Sequence, residues 1–227
     1  MLKAMMFIDG SWFDAGVKEL CKAEGADRVF VEHVQFPPIW AATTKHIRDA
    51  LGFEVDLVRT YCVAGHPDPE TVGPCSRTTA EIIATGWAEL RQVPCLSVET
   101  YPYDYHRREF PRIARTSGQA ESRGKEKCVD VALATKMLYF AAVPAAYDVA
   151  ILVSGDSDYA PVLRAVRSLG KRAMLATFLD SKSCAFDFKR DEAMGDLWDI
   201  RPLDLGPVIK AQTQPRKSQG SRPDGEP

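Results

Sequence analysis

The chain has 227 residues, 45% of them hydrophobic and 26% charged, and a formal net charge of −2. This is the composition of a globular protein, and it excludes a largely disordered chain and a uniformly basic nucleic-acid coat. The length favours one domain, and no apolar run reaches the ~20 residues that a membrane-spanning helix requires.

The first half of the chain alternates short apolar runs with segments of helical periodicity. The apolar runs predict strands over residues 4–8, 55–63 and 96–98. The periodic segments predict helices over residues 12–23, 39–51 and 77–91.

The second half repeats this alternation more clearly. It predicts, in order, a helix over 126–141, a strand over 148–153, a helix ending at Leu169, a strand over 172–178, a helix over 181–194 and a strand over 197–200. Gly170 is well suited to the position after a helix end. From Leu205 the chain is polar and rich in Pro, Gly and Ser, so we expect one domain over 1–204 and a disordered tail over 205–227.

Strands that alternate with helices predict an α/β protein whose mainly parallel central sheet is covered by helices on both faces. In such sheets ligands bind outside the carboxyl ends of the strands. The strand ends are therefore the first place to look for a site.

Acidic residues follow two of the predicted strands. Asp9 ends the first strand, and Asp156 and Asp158 follow the strand over 148–153. Asp130 lies in the first turn of the preceding helix. Several carboxylates with no histidine or cysteine among them suit a hard cation, Mg²⁺ or Mn²⁺.

Each of these acids also has a purely structural interpretation. Asp156 or Asp158 is as well explained as a helix N-cap, Asp9 as a turn residue, and Asp130 as a complement to the helix dipole. Lys127 shares a helix face with Asp130, where it forms either a surface ion pair or a phosphate contact. The combination of acids, rather than any one of them, indicates a site.

Residues 101–126 contain alternating tyrosines followed by arginines, with few aliphatic residues. We expect a long, exposed, basic connection. Tyr101, Tyr103 and Tyr105 with Arg107, Arg108, Arg112 and Arg115 resemble a single-strand binding pattern of stacking and phosphate contacts. Tyrosines that pack on the domain surface are the favoured alternative.

Three segments together resemble a known family. They are Met6-Phe-Ile-Asp-Gly-Ser, Lys127-Cys-Val-Asp-Val-Ala-Leu, and Ile151-Leu-Val-Ser-Gly-Asp-Ser-Asp-Tyr with Gly170-Lys171 downstream. Over residues 4–202 the chain resembles the NYN domain, LabA-like branch, of the PIN-like nucleases. The resemblance implies a three-layer α/β/α Rossmann-like (PIN-like) sandwich and metal-dependent ribonuclease activity on RNA, and it allows a homodimer.

The resemblance also assigns roles to individual residues. Asp9, Asp130 and Asp156 would bind Mg²⁺ or Mn²⁺, with Asp158 as a fourth catalytic acid that either ligates the metal or acts as general base. Ser11 and Ser154 would lie in the same pocket. Apart from the resemblance, we expect substrate contacts from these two serines with Ser157 and Lys127, and, from the single-strand binding pattern, from Arg107, Arg108 and Arg112.

Trp12 departs from the family pattern, which has asparagine two residues after the glycine of the first motif. We favour core packing for this side chain over base stacking. The departure motivates an alternative function, a catalytically weak RNA-binding or adaptor protein with the same fold. A haloacid-type phosphatase is disfavoured because Asp9 is followed by Gly10-Ser11 rather than by a second Asp, and a Toprim domain because no early strand ends in glutamate.

Overall fold

The computed structural model describes residues 1–25, 45, 49, 55–66, 84–102, 128–178, 199–207 and 209. In this part of the chain the strands are β1 (Leu2–Asp9), β2 (Val55–His66), β3 (Leu96–Pro102), β4 (Val149–Val153), β5 (Arg172–Thr177) and β6 (Asp199–Pro202). The helices are α1 (Gly10–Ala23), α2 (Val129–Ala142) and α3 (Ala160–Ser168). A short 3₁₀ turn over Ser157–Tyr159 precedes α3.

The described strands form one sheet in the order β3-β2-β1-β4-β5-β6, and every neighbouring pair is parallel. The chain runs outward from β1 to β3 on one side, then returns to the centre and runs outward from β4 to β6 on the other. This is the order of doubly wound nucleotide-binding sheets, whose ligands bind where the direction reverses. In this protein that point lies between the carboxyl ends of β1 and β4.

Both faces of the sheet are covered, which explains why β1 is apolar on both sides. Its alternate residues pack on α1 at one face and on α2 and α3 at the other. Trp12, Phe13 and Val17 anchor α1 in the first core, and Leu133 of α2 and Leu163 of α3 lie in the second. The predicted α/β sandwich with a parallel sheet is confirmed. None of the described helices is long and apolar enough to cross a bilayer.

The predicted elements agree with the structure except at their ends. β3 continues to Pro102, beyond the predicted end at residue 98, so Tyr101 belongs to the sheet and not to the connection. The extension was not predicted because the polar residues Ser97 and Glu99 interrupt the apolar pattern. Polar residues are compatible with β3 because an edge strand buries less of its surface than a central one. β6 lies two residues later than predicted.

Several predicted features fall wholly or partly outside the described residues. They are the helices over 39–51 and 181–194, most of the connection over 101–126, the first part of the helix over 77–91, and most of the tail over 205–227. Residues 84–90 are helical, as are residues 45 and 49. Leu205 and Ile209 are buried in the core on the α1 side, so packing continues past the predicted domain boundary at residue 204.

Candidate active site

Asp9 lies at the reversal point of the sheet, where β1 ends and α1 begins, and only 5% of its surface is exposed. One carboxylate oxygen, Oδ1, accepts the backbone N–H of Trp12 at 3.0 Å and caps α1. The other, Oδ2, accepts the hydroxyl of Ser154 at 3.1 Å. Asp9 is thus an N-cap, as its position before a helix allows, and also a bridge from β1 to the end of β4.

Gly10 allows α1 to begin immediately after this aspartate. A Cβ atom at residue 10 would lie 2.8 Å from both the Cβ of Ala64 and the Sγ of Cys62 on β2. The close approach also lets the Ser11 hydroxyl accept the backbone N–H of Gly65 at 2.8 Å. Ser11, a predicted substrate-binding residue, therefore links α1 to β2 through this hydrogen bond. Its contact with substrate stays a prediction.

Asp156 follows β4 and is joined to Asp9 through one buried side chain. The Ser154 hydroxyl, which donates to Asp9, accepts the backbone N–H of Asp156 at 3.1 Å. Oδ1 of Asp156 in turn accepts the backbone N–H of Asp158 at 2.9 Å and caps the 3₁₀ turn. Ser157 and Asp158 are exposed on this turn.

Asp130 lies at the same edge of the sheet, in the first turn of α2. Its Oδ1 accepts the hydroxyl of Tyr159 at 3.0 Å. The Asp130 side chain is exposed, but partial loss of its hydration raises its pKa; the Tyr159 hydrogen bond opposes this rise, and the charges of Asp156 and Asp158 add to it. Asp156 and Asp158 affect Asp130 because like charges close to a carboxyl group disfavour its ionised form.

Tyr159 occupies the centre of this group. Its ring is buried at 1% exposure, and burial together with the charges of Asp9, Asp130 and Asp156 raises the pKa of its hydroxyl well above the usual range. The hydroxyl therefore stays protonated and acts as a hydrogen-bond donor. No role was predicted for Tyr159 from the sequence; its spacing of three residues from Asp156 was the available indication.

The geometry thus brings four predicted acids, Asp9, Asp130, Asp156 and Asp158, to one edge of the sheet. A family model, described as NYN domain, matches residues 3–193. This chain belongs to the NYN domain family. Its fold is accordingly that of the PIN-like nucleases, while membership of the LabA-like branch stays a prediction. No curated protein and no solved structure matched the chain.

The acids of this NYN domain suit a hard divalent cation by their chemistry, since carboxylate oxygens are the donors that Mg²⁺ and Mn²⁺ prefer. Within the part of the chain that the structure describes, however, no three acidic, histidine or cysteine side chains converge closely enough to form a metal site. The donor type therefore fits, and closer convergence of the acids is required for a complete ligand set.

Other predicted residues have different positions. Lys127, Arg107, Arg108 and Arg112 lie outside the described residues, so their substrate contacts stay predictions. Lys171, from the family motif, lies at the opposite end of the sheet, where its Nζ donates to the carbonyl of Tyr147 at 2.8 Å. In the NYN domain this hydrogen bond holds the backbone at Tyr147, just before β4.

Tyr101 packs against the core on the α2 side. This agrees with the favoured alternative, in which the tyrosines of this segment pack on the domain surface.

Trp12 of the NYN domain lies in the core. It is 9% exposed and stacks on Phe178, with ring centroids 5.0 Å apart and planes 20° apart. The predicted packing role is confirmed. The backbone of Trp12, rather than its side chain, reaches the site, because its N–H is the group that Asp9 accepts.

Asp130→Asn is expected to stabilise the metal-free NYN domain slightly. A raised pKa of a carboxyl group in the folded state means that its stabilising contribution is present below the unfolded pKa and is lost as pH rises through the folded pKa. At neutral pH the ionised Asp130 therefore opposes folding. Since its side chain is exposed, we expect only about 0.5 kcal/mol, or a rise in Tm of about 1–2 °C.

Thermal melts in EDTA at pH 7 and near pH 4 test this expectation. The gain should be present at pH 7 and shrink at the lower pH, where a larger fraction of Asp130 is protonated. A lower Tm for Asp130→Asn at pH 7 would show that repulsion among the acids does not act on the folded protein.

Proposed function

We propose that this NYN domain is a metal-dependent ribonuclease that hydrolyses phosphodiester bonds in single-stranded or structured RNA. The observation that carries the proposal is the link from Asp9 through Ser154 to Asp156 at the reversal point of the sheet. Ligands of doubly wound sheets bind at this place. Ser154 links the Asp9 carboxylate to the backbone of Asp156, so the two strand-end acids are fixed beside each other at this place.

We assign the cation, Mg²⁺ or Mn²⁺, to Asp9, Asp130 and Asp156. When bound, the ion neutralises phosphate charge and lowers the pKa of an attacking water. Ser154 fixes the orientation of the Asp9 carboxylate, and the backbone N–H of Asp158 fixes that of Asp156. Asp158 is exposed beside them, and we assign its carboxylate the role of accepting a proton from water.

We further propose that RNA approaches from the solvent side of this edge, with Ser157 exposed on the turn as a phosphate contact. Arg107, Arg108, Arg112 and Lys127 stay candidates for additional phosphate contacts. A cytoplasmic location and a homodimer are expectations that accompany the ribonuclease proposal.

The test is cleavage of labelled single-stranded RNA and single-stranded DNA in Mn²⁺, Mg²⁺ or EDTA. Wild type is expected to cleave RNA only with metal. Asp156→Asn should lose at least about a hundredfold in rate, because asparagine retains the cap but not the charge.

The matched control is Asp148→Asn at the far end of the sheet. Asp148 also accepts a backbone N–H, that of Lys3 at 2.8 Å, so the same chemical change is made away from the acids. Full activity is expected for this variant. Cleavage by Asp156→Asn at the wild-type rate, or cleavage by wild type in the presence of EDTA, would contradict the proposed mechanism.

A second candidate function is RNA binding without efficient cleavage. Two observations favour it: Trp12 stands where the family has asparagine and is committed to the core, and three acids do not converge among the described residues. Wild type that binds RNA in a filter assay but cleaves nothing in either metal would select this function.

A further inference from the structure

Tyr159 joins the two parts of the acidic edge that come from different elements. Its ring is packed in the core on the α2 and α3 side, together with Leu133 and Leu163. The 3₁₀ turn that carries it begins directly after Asp156. A side chain held at both its backbone and its ring has little freedom, so the position of its hydroxyl is fixed.

The Tyr159 hydroxyl reaches Asp130 on α2 and donates to Oδ1 at 3.0 Å. Asp130 is exposed in the first turn of α2, where an aspartate side chain otherwise samples several rotamers. The charges of Asp156 and Asp158 repel its carboxylate. The phenol opposes that repulsion and leaves Oδ2 available to a ligand.

We propose that Tyr159 is a positioning residue, whose hydroxyl holds the Asp130 carboxylate against the neighbouring acids so that the edge binds a divalent cation. This inference rests on the proposed function. Groups that hold metal ligands through hydrogen bonds commonly contribute about 10–100-fold to metal affinity. Tyr159 therefore acts on the cation through Asp130 rather than by contact.

The chain offers a matched control in Tyr147. This tyrosine is also fully buried in the same core, and its hydroxyl also donates to α2, at 3.1 Å to the carbonyl of Met137. It differs from Tyr159 in contacting backbone and not an acid. Tyr147→Phe removes the same atom from the same core and leaves the acidic edge intact.

The experiment is isothermal titration of Mn²⁺ into the full metal-free chain, with Tyr159→Phe, Tyr147→Phe, Asp130→Asn and the double variant Tyr159→Phe/Asp130→Asn. Tyr159→Phe is expected to weaken Mn²⁺ binding about tenfold, and Tyr147→Phe to leave it unchanged. In the Asp130→Asn background, Tyr159→Phe should have no further effect. Circular dichroism melts check that each variant is folded; loss of the bond leaves Asp130 in contact with water, so Tyr159→Phe is expected to fold.

Three results would overturn the positioning role. They are wild-type affinity in Tyr159→Phe, an equal loss in Tyr147→Phe, and a further tenfold loss when Tyr159→Phe is added to Asp130→Asn. Failure of wild type to bind Mn²⁺ would instead overturn the metal-dependent function itself, and the positioning role with it. If Tyr159→Phe melts at a lower temperature than wild type, Mn²⁺ affinity is compared between Asp130→Asn and Asp130→Glu. If the position of the carboxylate matters, the longer side chain of Asp130→Glu should weaken Mn²⁺ binding nearly as much as the loss of charge in Asp130→Asn.

Discussion

Asp9→Asn is expected to reduce metal-dependent cleavage of RNA by about a thousandfold while the protein remains folded. Asparagine keeps an oxygen that caps α1 and a group that pairs with Ser154, so the hydrogen bonds of Asp9 to Trp12 and to Ser154 each have a replacement. The negative charge is lost, and with it the principal electrostatic support for the reaction. Single-turnover rates in Mn²⁺, with a thermal melt of the same preparation, measure the two effects separately.

Asp9→Ala is the companion variant, because it removes the hydrogen bonds as well as the charge. Loss of the cap costs about 1 kcal/mol, and the buried hydroxyl of Ser154 loses its acceptor at a cost of about 1–3 kcal/mol. Asp9→Ala should therefore be inactive and also destabilised, whereas Asp9→Asn should be inactive only. An active Asp9→Asn protein would leave Asp9 with a purely structural role.

Trp12→Asn is expected to lower the free energy of unfolding by about 3–5 kcal/mol. The asparagine found in the family cannot simply be restored here, because Phe178 packs on the indole ring and is also in contact with Phe13. A polar amide in that space leaves a cavity and buries groups that need hydrogen bonds. Urea denaturation measures the loss, and cleavage assays at low temperature show whether activity changes.

Trp12→Phe provides the comparison for this variant. It preserves an aromatic ring against Phe178, so a loss of about 1–2 kcal/mol is expected. A Trp12→Asn protein as stable as wild type, with faster cleavage, would show that residue 12 belongs to the site and not to the core.

The sequence was informative about the strand-end acids because two apolar runs stop at carboxylates and parallel strands share their carboxyl edge. Asp9 and Asp156 could be placed together from that rule alone. The helical position of Asp130 was also predictable. Its contact with Tyr159 was not, because the residues are 29 positions apart and their meeting depends on how α2 packs beside the 3₁₀ turn.

Other features escaped prediction for reasons of exposure and of shared roles. The full length of β3 was hidden because its polar residues face a partly exposed edge. The capping hydrogen bonds of Asp9 and Asp156 show that structural and functional interpretations of one aspartate are compatible, since a carboxylate oxygen has two lone pairs. The sequence pattern could not separate roles that one side chain combines.

The central position of β1 has a consequence for how the protein is made. β1 pairs with β2 and also with β4, whose residues lie about two thirds of the way along the chain. During synthesis the first pairing becomes available early, but Asp9 gains its Ser154 partner only after β4 has emerged. An unfinished chain therefore holds Asp9 without the acids that follow β4, so the acidic edge of the sheet is completed only late in synthesis.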